Sequence, residues 1–139
     1  NVIRKKLPDL AHVSYSKYLE KYGCEANSQL KKSLLLHEGL VLMDEHLEFS
    51  DEDMRMVYRE ENTCGIFFLE VSSYRLIDMR EKDRNKARSI NKEEIVFKQK
   101  KVKEKALFLS ISLDIPMLIV KDGDIDKNVF LLKQFVNSF

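Results

Sequence analysis

Two acids in this chain, Glu38 and Glu70, stand where a carboxylate is costly unless something answers its charge, and a third, Asp53, comes from the segment before the strands. Glu38 lies in "KSLLLHEGLVLMDEHLEF", where helical spacing puts Leu34, Leu35, Glu38, Val41 and Leu42 on one face, toward the expected core. Glu70 closes the apolar run "IFFLE", where alternation sets it on the side of Ile66 and Phe68. Asp53, with Asp51 as the alternative, comes from "SDED" just before the segment expected to pair with the strand of Glu70. An ionised acid in apolar surroundings needs a basic partner, a proton or a metal. Three carboxylates from three elements suit one or two divalent cations; a pair roughly 3.5–4 Å apart clamps the attacking and leaving oxygens of a phosphodiester. All-oxygen donors favour Mn2+ or Mg2+ over zinc.

Such chemistry also needs a cation beside the scissile phosphate. Lys82 and Lys86, one turn apart in "RLIDMREKDRNKAR", are placed to supply it. Each residue also has an ordinary structural reading. Glu38 would pair with a lysine, Glu70 would be a strand-end charge, Asp53 a turn or cap residue, and the two lysines solvated surface groups. His37 adjoins Glu38 and so points about 100° away round a helix, which makes a shared ion awkward.

The elements that must position these groups follow from periodicity. Helical spacing predicts a first helix over Ser14 to Tyr22, stopped by Gly23, and a second capped by Asn27 or Ser28 that runs to about Leu42. "MRMVYR", Met54 to Arg59, and "IFFLEVSS", Ile66 to Ser73, read as an antiparallel strand pair joined by a turn that Gly65 eases. A charged helix over Asp78 to Arg88 follows. A longer one, capped by Asn91 or Ser89, has a narrow apolar seam of Ile95, Val96, Val102, Ala106, Leu107 and Leu109 and a lysine-rich outer face. "PMLIV" reads as a buried strand, "KDGD" as a turn, and Asn128 to Phe139 as a closing amphipathic helix. The order is that of an α+β layered fold. A dinucleotide-binding fold is excluded, because no glycine-rich phosphate loop follows a strand.

Length and composition agree with one domain over residues 1–139. No apolar run approaches the roughly 18 residues a membrane span needs, and no signal-peptide pattern opens the chain. The formal net charge of +1 hides segregation: acids crowd Asp44 to Glu61, and lysines and arginines crowd Arg75 to Lys105. An acidic metal site beside a basic path for a polyanion has that pattern; so do two solvated faces of opposite sign. Cys24 and Cys64 lack any paired spacing, which argues against zinc and against a disulfide framework.

Taken together, "SLLLHEGLVLMDEHLEF", an acid before a strand, "IFFLEV", a basic helix and "DIPMLIVKDGDID" resemble the N-terminal endonuclease domain of the arenavirus L protein. That protein is the viral RNA-dependent RNA polymerase. The resemblance is one of pattern and spans about Lys32 to Asp126. It implies the PD-(D/E)xK nuclease fold, with a small mixed sheet covered by helices on both sides. It also implies cap-snatching, in which Mn2+ or Mg2+ supports cleavage of capped host mRNA into primers for viral transcription. Glu38 matches the helix acid of the family and Glu70 the strand acid. Asp53 matches the intervening aspartate, although Glu52 stands where the family has proline, which leaves Asp51 open. Aligned without gaps from Glu70, the family's lysine falls on Asp83 and its second helix acid on Ala87, so Lys82 is reached by a small shift and Lys86 is the alternative. The implied partners are single-stranded capped RNA and the remainder of the polymerase, with no membrane, a monomeric isolated domain, and residence in the host cytoplasm and the virion. The departures in the basic helix equally suit a catalytically impaired module serving RNA binding or polymerase architecture. An unrelated interaction domain with ordinary buried salt bridges is a third reading.

Overall fold

A computed structural model of the chain describes residues 6–7, 10–44, 50–83 and 90–139, in which helices are mixed with short strands paired in parallel. The chain divides into two compact units, Asn1–Cys64 and Gly65–Phe139. Among the described residues both run strand, helix, helix, strand, helix. Parallel partners demand a long crossover, and in each unit a helix pair provides it.

In the first unit, β1 (Ala11–Ser14) pairs with β2 (Val41–Asp44), Ala11 opposite Val41. Between them lie α1 (Tyr15–Tyr22) and α2 (Ala26–Leu36). The helices are tied by tyrosine hydroxyls: Tyr15 donates to Asn27 Oδ1 at 2.6 Å and Tyr18 to Ser33 Oγ at 2.9 Å. The second helix therefore ends at Leu36, short of the expected Leu42. His37 is already extended, Gly39 takes φ +85°, and Val41 to Met43 leave the helix for the ladder with β1. Val41, Leu42 and Met43 are apolar enough to serve either period, and pairing with β1 decides for the strand.

Met54 to Arg59 is the larger correction. The expected strand is instead a helix, α3 (Asp51–Val57). Ser50 caps it by accepting the Asp53 N–H at 3.2 Å, three acids occupy its first turn and Arg55 its last, an arrangement that complements the helix dipole. Met54, Val57 and Tyr58, at helical spacing, are its buried face. They pack with Ala26 and Leu30 of α2 as the core of this unit. Leu30 is fully enclosed, so Leu30→Ala is expected to cost about 2–5 kcal/mol in chemical denaturation.

In the second unit, β3 (Ile66–Glu70) pairs in parallel with β4 (Met117–Lys121), not in antiparallel fashion with the Met54 segment. The crossover contains α4 (Ser73–Lys82) and α5 (Lys92–Leu113), and α6 (Ile125–Asn137) closes the chain. Caps explain three of these boundaries. Ser72 accepts the Arg75 N–H, which starts α4 earlier than the expected Asp78. Asn91 accepts that of Glu94, as expected, and Asp124 that of Lys127, which starts α6 three residues before Asn128. α4 ends at Lys82, short of the expected Arg88: Asp83 leaves helical geometry and its N–H donates to the Met79 carbonyl at 3.0 Å; the alternative cap Ser89 lies outside the described residues.

The core of this unit is Ile95, Ala106, Leu109, Val120, Val129 and Leu132. Asn128 is buried among them, its Nδ2 donating to the Lys121 carbonyl at 3.1 Å. The seam of α5 is narrower than expected: Val96 and Leu107 are exposed. Gly65 is required for close approach rather than for a turn, because a Cβ there would lie 2.5 Å from the Phe139 ring and 2.9 Å from that of Phe135.

Candidate functional site

The charged groups converge at the carboxyl ends of β3 and β4, the end at which open α/β sheets commonly bind ligands. Glu70 is the last residue of β3 and stands in register with Lys121, the last of β4. The Asp122 N–H extends the ladder by donating to the Glu70 carbonyl at 2.8 Å, and the Asp122 carboxylate is paired with the Arg75 guanidinium from α4. From α5, Lys103 Nζ donates to Glu70 Oε1 at 2.7 Å. The result is a compact group of two carboxylates and three cations, all on elements of the second unit.

Lys103 holds the Glu70 carboxyl below the ordinary glutamate range, first by its hydrogen bond and then by its charge, with Lys121 adding a smaller effect. Both side chains of the pair keep about a third of their surface in water, so solvent moderates the interaction. A carboxyl pKa lowered on folding contributes stability above the unfolded value and loses it as pH falls through the folded one. The melting-temperature advantage of the native chain over Glu70→Gln is therefore expected to be constant near neutrality and to shrink in acid, in a paired pH series.

The other expected site residues are distributed differently. Glu38 is exposed, on the connection between α2 and β2, and not on an apolar helical face; with α2 ended at Leu36, no core stripe passes through it. His37 is exposed beside it, so the angular argument from a shared helix does not apply. Asp53 is half-buried at the third position of α3, and Asp51 is exposed at its first. Lys82 is exposed and bonded to Asp78 Oδ2 at 3.0 Å, one turn back on α4. Lys86 and Ala87 lie outside the described residues. Glu38, Asp51 and Asp53 belong to the first unit; Glu70 and Lys82 belong to the second. Among the described residues, no three His, Cys, Asp or Glu side chains gather as a metal-binding group.

Sequence reasoning set Lys103 with Lys98, Lys100, Lys101 and Lys105 on a basic helix face that could guide RNA, and missed that it reaches Glu70. The signal of Lys103 is faint but present: it is four residues from Gln99 and three from Ala106, on the border of the buried face of α5. That border is where a lysine stem can lie along the core and bring its ammonium to a strand end. No protein-family model and no curated protein matches the chain.

Proposed function

We propose that the chain is a divalent-metal-dependent endoribonuclease of the PD-(D/E)xK type, cleaving capped host mRNA to prime viral transcription as part of a viral polymerase. The observation that carries this reading is the ionised Glu70 at a strand terminus with Lys103 bonded to it and Lys121 opposite, the acid and cations that phosphodiester cleavage needs side by side. The resemblance of the chain to arenavirus L endonucleases, with Glu70 in the place of the strand acid, supplies the reaction class.

Glu70 fits a Mn2+ or Mg2+ site by its chemistry: a hard oxygen donor, partly open to solvent, and kept ionised. Glu38 and Asp53, with Asp51 as the alternative, stay the further acids that the resemblance implies, and they lie in the other unit of the chain. A bound cation at Glu70 supplies charge neutralisation at the phosphate and activation of water. The work of the chain itself is to position charge. Lys103 holds one oxygen of the partly exposed Glu70 carboxylate, and Lys121 and Arg75 keep positive charge at the same strand ends. These cations stabilise the extra negative charge that develops on the phosphate oxygens. Lys82 and Lys86 remain the alternative cations.

An impaired module that binds RNA without cutting it is the second reading, favoured by the engagement of Lys82 with Asp78 and by the exposed placement of Glu38. Incubation of the purified chain with single-stranded RNA, with Mn2+ and with EDTA, separates the two. Mn2+-dependent internal cleavage supports the nuclease; intact RNA at every Mn2+ concentration removes it.

A further inference from the structure

The side of α5 turned away from the core carries a seam of its own. Phe97, Lys101, Glu104, Phe108 and Ile111 follow one another at intervals of four, three, four and three residues, and at about 100° per residue they fall within an arc of about 80°. The buried Ile95, Ala106 and Leu109 lie on the opposite side. All five seam residues are exposed, Phe97 by 62%, Phe108 by 47% and Ile111 by 79%. Lys101 lies over its neighbour in the seam, its Nζ 5.4 Å from the centre of the Phe97 ring. Alternating steps of three and four average about 3.5 residues, the period that keeps one helix face against another helix over several turns. From Phe97 to Ile111 the seam is about 21 Å long.

We propose that this seam pairs with the same seam of a second copy of the chain, the two α5 helices running antiparallel about a two-fold axis. The order of the residues selects that partner. Read from either end, Phe97, Lys101, Glu104 and Phe108 have the same spacing of four, three and four, with a ring at each end and opposite charges in the middle. An antiparallel copy centred between Lys101 and Glu104 therefore sets Phe97 against Phe108 of the second copy and Lys101 against its Glu104, and the two-fold repeats both layers. Rings meet rings, and each charge meets its opposite. A parallel copy would set Lys101 on Lys101 and Glu104 on Glu104, so like charges exclude it. A wholly apolar partner would leave the lysine and the glutamate unanswered, and a nucleic acid laid on the seam would bring its phosphates to Glu104. Dimerisation of this kind does not depend on the nuclease reading, and it departs from the monomer that the resemblance implies. One helix from each copy makes a small interface, so the association is reversible.

Sedimentation equilibrium of the purified chain across a concentration series tests the seam. The native chain is expected to pass from monomer to dimer, and Phe108→Ala, which removes a ring from both aromatic layers, to weaken that step at least about tenfold. Phe130→Ala, which removes an exposed ring of α6, leaves it unchanged. Charge reversal reads the orientation and the register. Lys101→Glu and Glu104→Lys each bring like charges together in both central layers, and each variant is expected to stay monomeric. Mixed in equal amounts, the two are expected to regain a dimer that contains one of each, and the doubly reversed chain, Lys101→Glu with Glu104→Lys, to regain it alone. Recovery on mixing also shows that both variants are folded. A native chain that stays monomeric up to about 1 mM overturns the proposal. So do single reversals that dimerise as the native chain does, or reversals that fail to recover on mixing while their circular dichroism is native. A monomer that binds single-stranded RNA and loses it on Lys101→Glu would also overturn the proposal, and would assign the face to nucleic acid.

Discussion

Glu70→Ala is expected to lower Mn2+-dependent RNA cleavage by at least about a hundredfold while leaving the chain folded. The size of the effect follows from the position of the residue. Partners that merely orient a metal ligand already account for about 10–100-fold in affinity or activity, and Glu70 is proposed to be a ligand itself. The fold is expected to survive because the side chain is a third exposed and outside the core. Its backbone carbonyl still accepts from Asp122 in the variant. Initial rates on a labelled single-stranded RNA, with circular dichroism of the same samples, check both halves. A variant that keeps its structure and most of its activity would place the chemistry elsewhere.

Lys103→Gln is expected to cost more activity than Lys82→Gln, by about 10²–10³ in rate if Lys103 is the cation that faces the developing charge. Lys82 is exposed and tied to Asp78 in a surface pair of one helix turn, the kind of pair worth about 0.3–0.5 kcal/mol, so its loss is expected to be nearly silent. A second readout separates electrostatics from simple damage. Lys103 is the main cause of the low Glu70 pKa. Its removal lets that pKa rise, and the acid limb of the rate profile is expected to move to higher pH. A lost rate with an unmoved acid limb would mean that Lys103 supports the site only structurally. A larger loss for Lys82→Gln would restore the lysine that spacing alone had favoured.

Glu70 and its strand were legible because "IFFLE" combines continuous apolar character with a terminal charge, and only a strand end reconciles the two. The "PMLIV" strand and the Asn91 cap of α5 were legible for similarly local reasons. Met54 to Arg59 was misread because a run of six residues can alternate and still present Met54, Val57 and Tyr58 at helical spacing. The deciding signal was the preceding "SDED", a serine cap followed by acids, which belongs to a helix start. Glu38 was misplaced because two apolar runs, Leu34 to Leu36 and Leu40 to Met43, flank "HEG" and can be read as one helical face, and only the partner β1 shows where the period changes. Parallel pairing of β3 with β4 spans 46 intervening residues between Glu70 and Met117, and no local pattern encodes it. The same distance hid Lys103, which reaches Glu70 through the packing of α5 against β3.

Thermal unfolding of the native chain and of Glu70→Ala across a Mn2+ titration, with RNA cleavage followed in the same tubes, tests the metal-dependent nuclease most directly. A site that binds only the folded chain adds about 2.7 kcal/mol of stability when Mn2+ reaches a hundred times its Kd. The expected result is a melting temperature that climbs with Mn2+ in the native chain alone, over the concentrations at which cleavage appears. Identical melting curves for the two proteins at every Mn2+ concentration, with the RNA intact, would contradict it.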